Sequence, residues 1–470
     1  MKRSKQSPLA LPPNDELPKI VQYIPDAQTM FNLLEALDND RGPLESLWQL
    51  GRKLPCEHLW PHLHLEFLKD LNLAHVESII QYYSHVIVSP ECDLVWLRRH
   101  LGPKSTLEWS GEIQPPTSDE WMDAFFTLPW TQAEIPTKAM DQPFFQNLPR
   151  FTALTSLQLQ GIVDLSAIFQ FAASSGSHFQ NMCIVVEDGS NAMTQPIVAD
   201  AQKWLSSRPV VSFDFHSWHW DTGVDEALKT AFLSQLFNCK SMDSLALGYC
   251  DLRQLTTVEC SFPLMQQLEL RHCQLTSPGV QHIALALATS NVTQLDMSGF
   301  YFGDRVEDSD PDVPHGGLVH LFSALPHLAV THLKLSRCAL NDTKLQTLAP
   351  LLFYSKLESL EWDYNEIGDD GAHVVAQIIA ATPTLTMIDL KGNSIGVVGA
   401  TELITCTTRR PLEIHLGLVG LSITSAEIDQ VKEFALALNV VLECTRQNND
   451  DEDTEDTEED EDTEEDEDDE

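Results

Sequence analysis

Three segments in the second half of the chain share one spacing of apolar positions almost residue for residue: VTHLKLSRCAL from Val330, LESLEWDYNEIG from Leu357 and LTMIDLKGNSIG from Leu385. In each, apolar side chains fall three and then two residues apart, an Asn or Cys follows, and a Leu or Ile closes the segment. The two-residue step predicts a short strand with one apolar face. Walking outward gives Met242/Leu245/Leu247, Met265/Leu268/Leu270, Val292/Leu295/Met297 and Pro411/Ile414/Leu416. The middle positions Leu245, Leu268, Leu295, Leu333, Leu360, Ile388 and Ile414 step by 23, 27, 38, 27, 28 and 26 residues. Between strands, DDGAHVVAQIIAATP after Gly368 and PGVQHIALALATS after Ser277 carry apolar residues at helical spacing, so each repeat predicts a strand followed by a helix. Weaker copies run through Val210/Phe213/Phe215 and Leu154/Leu157/Leu159, with an ambiguous one near Met182 and Ile184, which puts about nine or ten repeats between 150 and 445.

The spacing L-x-x-L-x-L-x-x-(N/C)-x-(L/I) resembles the leucine-rich repeat, and the repeat length resembles its ribonuclease-inhibitor type. The resemblance implies an α/β solenoid, a horseshoe with parallel strands on its concave side and helices on its convex side. Four regions follow: a helical region over 1–70, a cap, linker or degenerate repeats over 71–149, the solenoid over 150–446, and an acidic tail over 447–470. The stretch 111–149 is rich in Pro and aromatics, and HVIVSPECDLVWLRRHL upstream offers an earlier strand.

Composition narrows the class. With 470 residues and 43% hydrophobic content there is enough to bury a long apolar stripe. No stretch approaches the ~20 apolar residues of a membrane span, and MKRSKQSPLALPPNDE has no signal-peptide core, so a cytoplasmic or nuclear protein with no membrane partner is expected. Cys250, Cys273 and Cys338 fall at the Asn/Cys position of the repeat, and no C-x-x-C occurs, so free thiols are expected. The formal net charge is −41. From Asp450 to Glu470 every residue is Asp or Glu except Thr454, Thr457 and Thr463, a self-repelling run expected to be disordered. Removing its 18 charges still leaves −23, which argues against nucleic acid and for a basic protein partner.

The concave face is built from strand residues between the inward apolar positions. That column reads Asp214, Ala246, Glu269, Asp296, Lys334, Glu361, Asp389 and His415, and the next positions add Asp363 and Tyr364 against Arg271, Arg337 and Lys391. A mainly acidic surface centred on Asp296, Glu361, Asp363 and Asp389 is expected. In FDFHSWHWD, the register turns Phe213, Phe215, Trp218 and Trp220 inward.

Two further resemblances point to different functions. Leu11, Pro12, Glu16, Leu17, Ile20, Pro25 and Asp26 follow one another as in an F-box, which implies that Leu11, Pro12, Leu17 and Ile20 contact a Skp-type adaptor of a ubiquitin ligase. The alternative is a helical cap on the end of the solenoid. FYFGDRVED resembles the segment of a Ran GTPase-activating protein that carries a catalytically important Arg, which falls on Arg305, while the family's Asn-Asn pair aligns with Tyr364-Asn365. That likeness implies activation of a small Ran-like GTPase through Arg305 and Asn365. Cys56, His58, His62 and His64 read as packing rather than a metal site, and Asp308, Asp310 and Asp312 lack the remainder of a calcium loop. No Walker A, G-x-G-x-x-G, G-x-S-x-G or H-E-x-x-H motif is present and no cofactor is expected. The sequence thus predicts a non-enzymatic protein-interaction scaffold, with an F-box substrate receptor as its sharper form and a GTPase activator as the alternative.

Overall fold

The computed structural model describes residues 17, 21–68, 73–110, 118–136, 142–161, 163–174, 176–186, 191–300, 316–407, 412–418, 425–438 and 441–446. The acidic tail, the segment around Arg305 and the Asp308–Asp312 loop lie outside them. The chain forms two compact units, Met1–Gln274 and Leu275–Glu470.

The first unit opens on the helices Ala27–Leu37 and Glu45–Gly51. The first starts where Asp26 accepts the Thr29 N–H at 2.8 Å, an N-cap, and it buries Met30, Phe31, Leu34 and Leu37. Strands follow: β1 (Leu63–His64), β2 (His85–Val88), β3 (Thr106–Trp109), β4 (Trp130–Pro136), β5 (Ser156–Gln160), β6 (Asn181–Val185), β8 (Ser212–His216), β10 (Ser244–Gly248) and β11 (Gln267–Arg271). They pair in that order, all parallel. A second, two-stranded sheet joins β7 (Asn191–Met193) and β9 (Trp218–Trp220). The predicted register holds, since Leu157, Met182, Phe213, Leu245 and Leu268 lie side by side on neighbouring strands. Phe213, Phe215 and Trp218 are buried as expected, whereas Trp220 is half-buried, its indole N–H donating to the Asp251 carbonyl at 3.2 Å.

Strands β2–β4 fall within 85–136, part of the 71–149 stretch for which the leucine spacing left a cap, a linker or degenerate repeats open, while β1 places a short strand inside the 1–70 region expected to be helical. β2 is the earlier strand that HVIVSPECDLVWLRRHL offered, whereas β3 and β4 escape the leucine spacing because aromatics take the place of leucine. Trp109, Phe125, Phe126, Trp130, Phe144 and Phe151 pack as one block, with ring centroids 5.4 Å apart for Trp109–Trp130 and 4.9 Å for Phe126–Phe151. The register also shifts between Leu107 and Glu108, which breaks the period.

The second unit carries β12 (Gln294–Asp296), β13 (His332–Lys334), β14 (Ser359–Glu361), β15 (Met387–Leu390), β16 (Glu413–Leu418) and β17 (Val441–Arg446), again parallel in chain order. Leu295, Leu333, Leu360, Ile388, Ile414 and Leu442 are in register. The helices Ser277–Leu287 and Asp369–Ala381 form where helical spacing predicts them. Successive helices are stapled through aspartates: Asp342 accepts the Gly368 N–H at 2.8 Å, and Asp369 accepts those of Gly396 and Gly399 at 2.8 and 2.9 Å. Glycine is needed at 371 and 399 because a Cβ would stand 2.3 Å from Asp342 Oδ1 and 2.6 Å from Asp369 Oδ1.

The Asn/Cys position closes each repeat. Asn365 is buried; its Oδ1 accepts the N–H groups of Cys338 and Leu340 at 2.9 and 3.0 Å, and its amide donates to the carbonyls of Leu335, Trp362 and Asp363 at 2.9, 3.0 and 3.3 Å. Asn393 repeats this, accepting from Ile367 at 3.0 Å and donating to Trp362 and Leu390 at 2.8 and 2.9 Å. At 338 a thiol takes the place of the amide: Cys338 reaches the Met297 and Ser336 carbonyls at 3.3 and 3.4 Å. Burial pushes its thiol up to about 12 and that of Cys250 well above the usual range. An aromatic disulfide reagent at pH 8 should therefore leave both cysteines unmodified until denaturant is added, because the thiolate is the nucleophile. Rapid labelling of either in the folded protein, mapped by peptide mass, would contradict this assignment.

Candidate functional site

The outward residues of the strands form the surface on which the sequence placed its partner contacts. In the first unit His216 Nε2 lies 2.7 Å from Asp214 Oδ1, and Cys183 Sγ donates to the other Asp214 oxygen at 3.4 Å. Glu269 is paired with Arg271 and accepts from Gln267. Ala246 is buried between them in the sheet.

In the second unit Lys334, Glu361, Asp389 and His415 stand in register on successive strands. Lys334 Nζ is 3.1 Å from Glu361, and His415 Nδ1 is 3.4 Å from Asp389, with its Nε2 2.9 Å from Glu413. Burial works against the charge on Lys334, but Glu361, with Asp363 and Asp296 behind it, outweighs that and holds the ammonium above the usual lysine range. Asp363 accepts the Ser336 hydroxyl, and Asp389 accepts the Lys391 N–H at 2.9 Å. Asp296 is 6% exposed and turns into its own loop, accepting the Ser298 N–H at 2.9 Å and its hydroxyl at 2.5 Å. The expected acidic centre is thus corrected in two respects. Asp296 is a buried loop anchor, and Glu361 and Asp389 are matched by cations or imidazoles across the strands. Alternating partners arise because neighbouring strands bring side chains in register within ion-pair reach.

One conformation has no counterpart in the apolar spacing. The residue just before the Asn/Cys position, which Trp218 and Phe300 occupy in two repeats, is left-handed in repeat after repeat: Ser217, Tyr249 and His272 in the first unit, at φ 58, 51 and 52°, and Gly299, Arg337, Tyr364 and Gly392 in the second, at 74, 55, 53 and 71°. Gly299 and Gly392 at that same repeat position are the signal that could have shown it. Bulky side chains there are thrown outward. Tyr249 stacks on His272 with centroids 4.5 Å apart and planes 3° from parallel, and the Arg337 guanidinium lies 4.6 Å over the Tyr364 ring.

The remaining candidates separate. Among the residues matched to the F-box, Leu17 is 5% exposed, so its side chain belongs to the core and not to an adaptor-facing surface; Leu11, Pro12 and Ile20 lie outside the described residues. Asn365, matched to a GTPase-activating Asn, spends both ends of its amide on the backbone and has none left for a partner. Its assignment to catalysis is corrected on that ground, and Arg305 lies outside the described residues. The His58 ring stacks on Phe67 at 3.8 Å, and among the described residues no group of three or more His, Cys, Asp or Glu is placed to hold a metal ion. No described helix is long and apolar enough to cross a membrane.

No protein-family model matches the chain. A NACHT, LRR and PYD domains-containing protein 5 from Bos taurus is 28% identical over 160 residues, 33% of this chain, which spans 14% of that relative's length. Among solved structures, an internalin from Listeria monocytogenes is matched over 82% of this chain and 93% of its own, at 14% identity and a TM-score of 0.37. A protein from Bacteroides fragilis is matched over 74% and 68%, at 11% identity and a TM-score of 0.25. With its in-register parallel strands, flanking helices and Asn/Cys ladder, the chain has the leucine-rich-repeat fold.

Proposed function

We propose that this chain is a protein-interaction scaffold that holds a basic protein against the exposed sheet face of its second unit. One observation carries the reading: Lys334, Glu361, Asp389 and His415 stand in register on an open face, beside the exposed Tyr364. A row of ordered polar groups next to a tyrosine suits a macromolecule, since small ligands need an enclosed, mostly apolar cleft. The net charge, −23 even without the tail, favours a basic partner by long-range steering. Adaptor binding through Leu11, Pro12, Leu17 and Ile20, and GTPase activation through Arg305, have no supporting geometry among the described residues.

Charge reversal tests it. Full-length protein carrying Glu361→Lys and Asp389→Lys should lose about tenfold or more of its affinity for partners captured from cell extract, and capture by the parent protein should weaken as salt rises. Glu402→Lys, on the helix Val397–Thr407, should change nothing. Capture unaffected by the double reversal would rule out this face.

A further inference from the structure

We infer that Arg337, stacked on Tyr364, is a pre-formed anchor for an aspartate or glutamate side chain of the bound protein. This rests on the reading of the sheet face as a partner-binding surface and adds to it the contact that fixes how the partner sits. The partner is basic overall and places one carboxylate at this point.

The backbone supplies the first step. Arg337 and Tyr364 hold φ values of 55 and 53°. For a bulky L-residue the left-handed region is strained, and glycine avoids that strain. The same repeat position is glycine at 299 and 392. The loop therefore needs the conformation but not a side chain, and two costly side chains in consecutive repeats call for a role outside the loop.

Their arrangement gives that role a chemistry. Gly392 lets the tyrosine ring lie down, since a Cβ there would come within 2.7 Å of Tyr364 Cδ1 and 2.9 Å of its Cα. On the tyrosine ring lies the Arg337 guanidinium, 4.6 Å from the centroid. Tyr364 remains 46% exposed and Arg337 is exposed. Lys334 and Glu361 pair with each other, and Asp389 pairs with His415. Among the described residues Arg337 makes no ion pair and no side-chain hydrogen bond; the ring contact is what holds it. A guanidinium lying over an aromatic ring keeps its N–H edges free in its own plane, the geometry that grips a carboxylate through two parallel hydrogen bonds. Stacking also removes part of the rotamer freedom that binding would otherwise cost.

The test uses full-length protein and a displayed library of random linear peptides, followed by synthesis of one enriched peptide in matched Glu and Gln forms. Enriched peptides should be basic and carry one Asp or Glu at a fixed place. The Glu form should bind about tenfold more tightly than the Gln form, as a charge-assisted contact implies. Arg337→Gly, which relaxes the backbone, should bring the Glu form down to the level of the Gln form and leave the Gln form unchanged. Tyr364→Gly should preserve or raise thermal stability while giving up much of the discrimination. If Glu and Gln forms bind alike but Glu361→Lys with Asp389→Lys still abolishes binding, the anchor is wrong and the scaffold reading stands. Peptides indifferent to both sets of substitutions, or no enrichment at all, would overturn the two together.

Discussion

Replacing Asn365 with alanine is expected to lower the unfolding free energy by about 3–5 kcal/mol, since each buried polar group left without a partner costs about 1–3 kcal/mol. Three groups are orphaned: the N–H of Cys338, the N–H of Leu340 and the carbonyl of Leu335. The other two acceptors are cushioned, because Asn393 still donates to the Trp362 carbonyl at 2.8 Å and the Arg337 N–H to that of Asp363 at 3.1 Å. Asn365→Asp should fall between wild type and alanine, keeping the two accepted bonds and losing the donated ones. Chemical denaturation gives the magnitude, and hydrogen exchange gives the place: the Cys338 and Leu340 amides should lose protection first. A loss below about 1 kcal/mol, or unchanged protection at both amides, would mean that water takes over the ladder. The same geometry argues against a catalytic Asn365, because a side chain on which three backbone groups depend is not free to turn toward a partner.

What the sequence made legible follows from how strictly each position is constrained. The second unit could be read strand by strand because Leu333, Leu360 and Ile388 must meet side by side, and only a branched aliphatic of that size repeats without repacking. Strands β3 and β4 were unreadable in those terms because Trp109, Trp130 and the phenylalanines between them fill the same space with different shapes, so no spacing recurs, whereas β2 showed in HVIV. The outward column was legible as residue types and not as a surface. Nothing in a linear pattern tells that Asp296 folds back on Ser298 while Glu361 meets Lys334, since that depends on loop direction and on the neighbouring strand. The left-handed loop position had a trace in Gly299 and Gly392, but the tyrosines and arginine around it masked the rule.

Trp362→Ala is expected to be about as damaging as the loss of Asn365, at about 3–5 kcal/mol, the range for deleting a buried aromatic side chain. Trp362 stands at the third apolar position of its repeat, where Leu335 and Leu390 stand in the neighbouring repeats, and it is fully buried. Its indole lies nearly parallel to Phe322, with planes 11° apart. It is also an imperfect fit, for its Nε1–H has no hydrogen-bond partner among the described residues. Trp362→Phe removes that orphan together with part of the ring. The gain from no longer burying an unpaired donor, about 1–3 kcal/mol, should nearly offset the smaller packing loss and leave stability within about 1 kcal/mol of wild type. Trp362→Leu, the residue of the neighbouring repeats, should lie between the two, since the space around an indole does not close fully on a smaller side chain. Equilibrium unfolding of the three variants decides the matter. A phenylalanine variant as unstable as alanine would show that the indole N–H is bonded after all. An alanine variant close to wild type would show a repeat able to collapse onto the gap, and the sheet face above it would then lack the rigid support on which ordered charges at Glu361 and Asp363 depend.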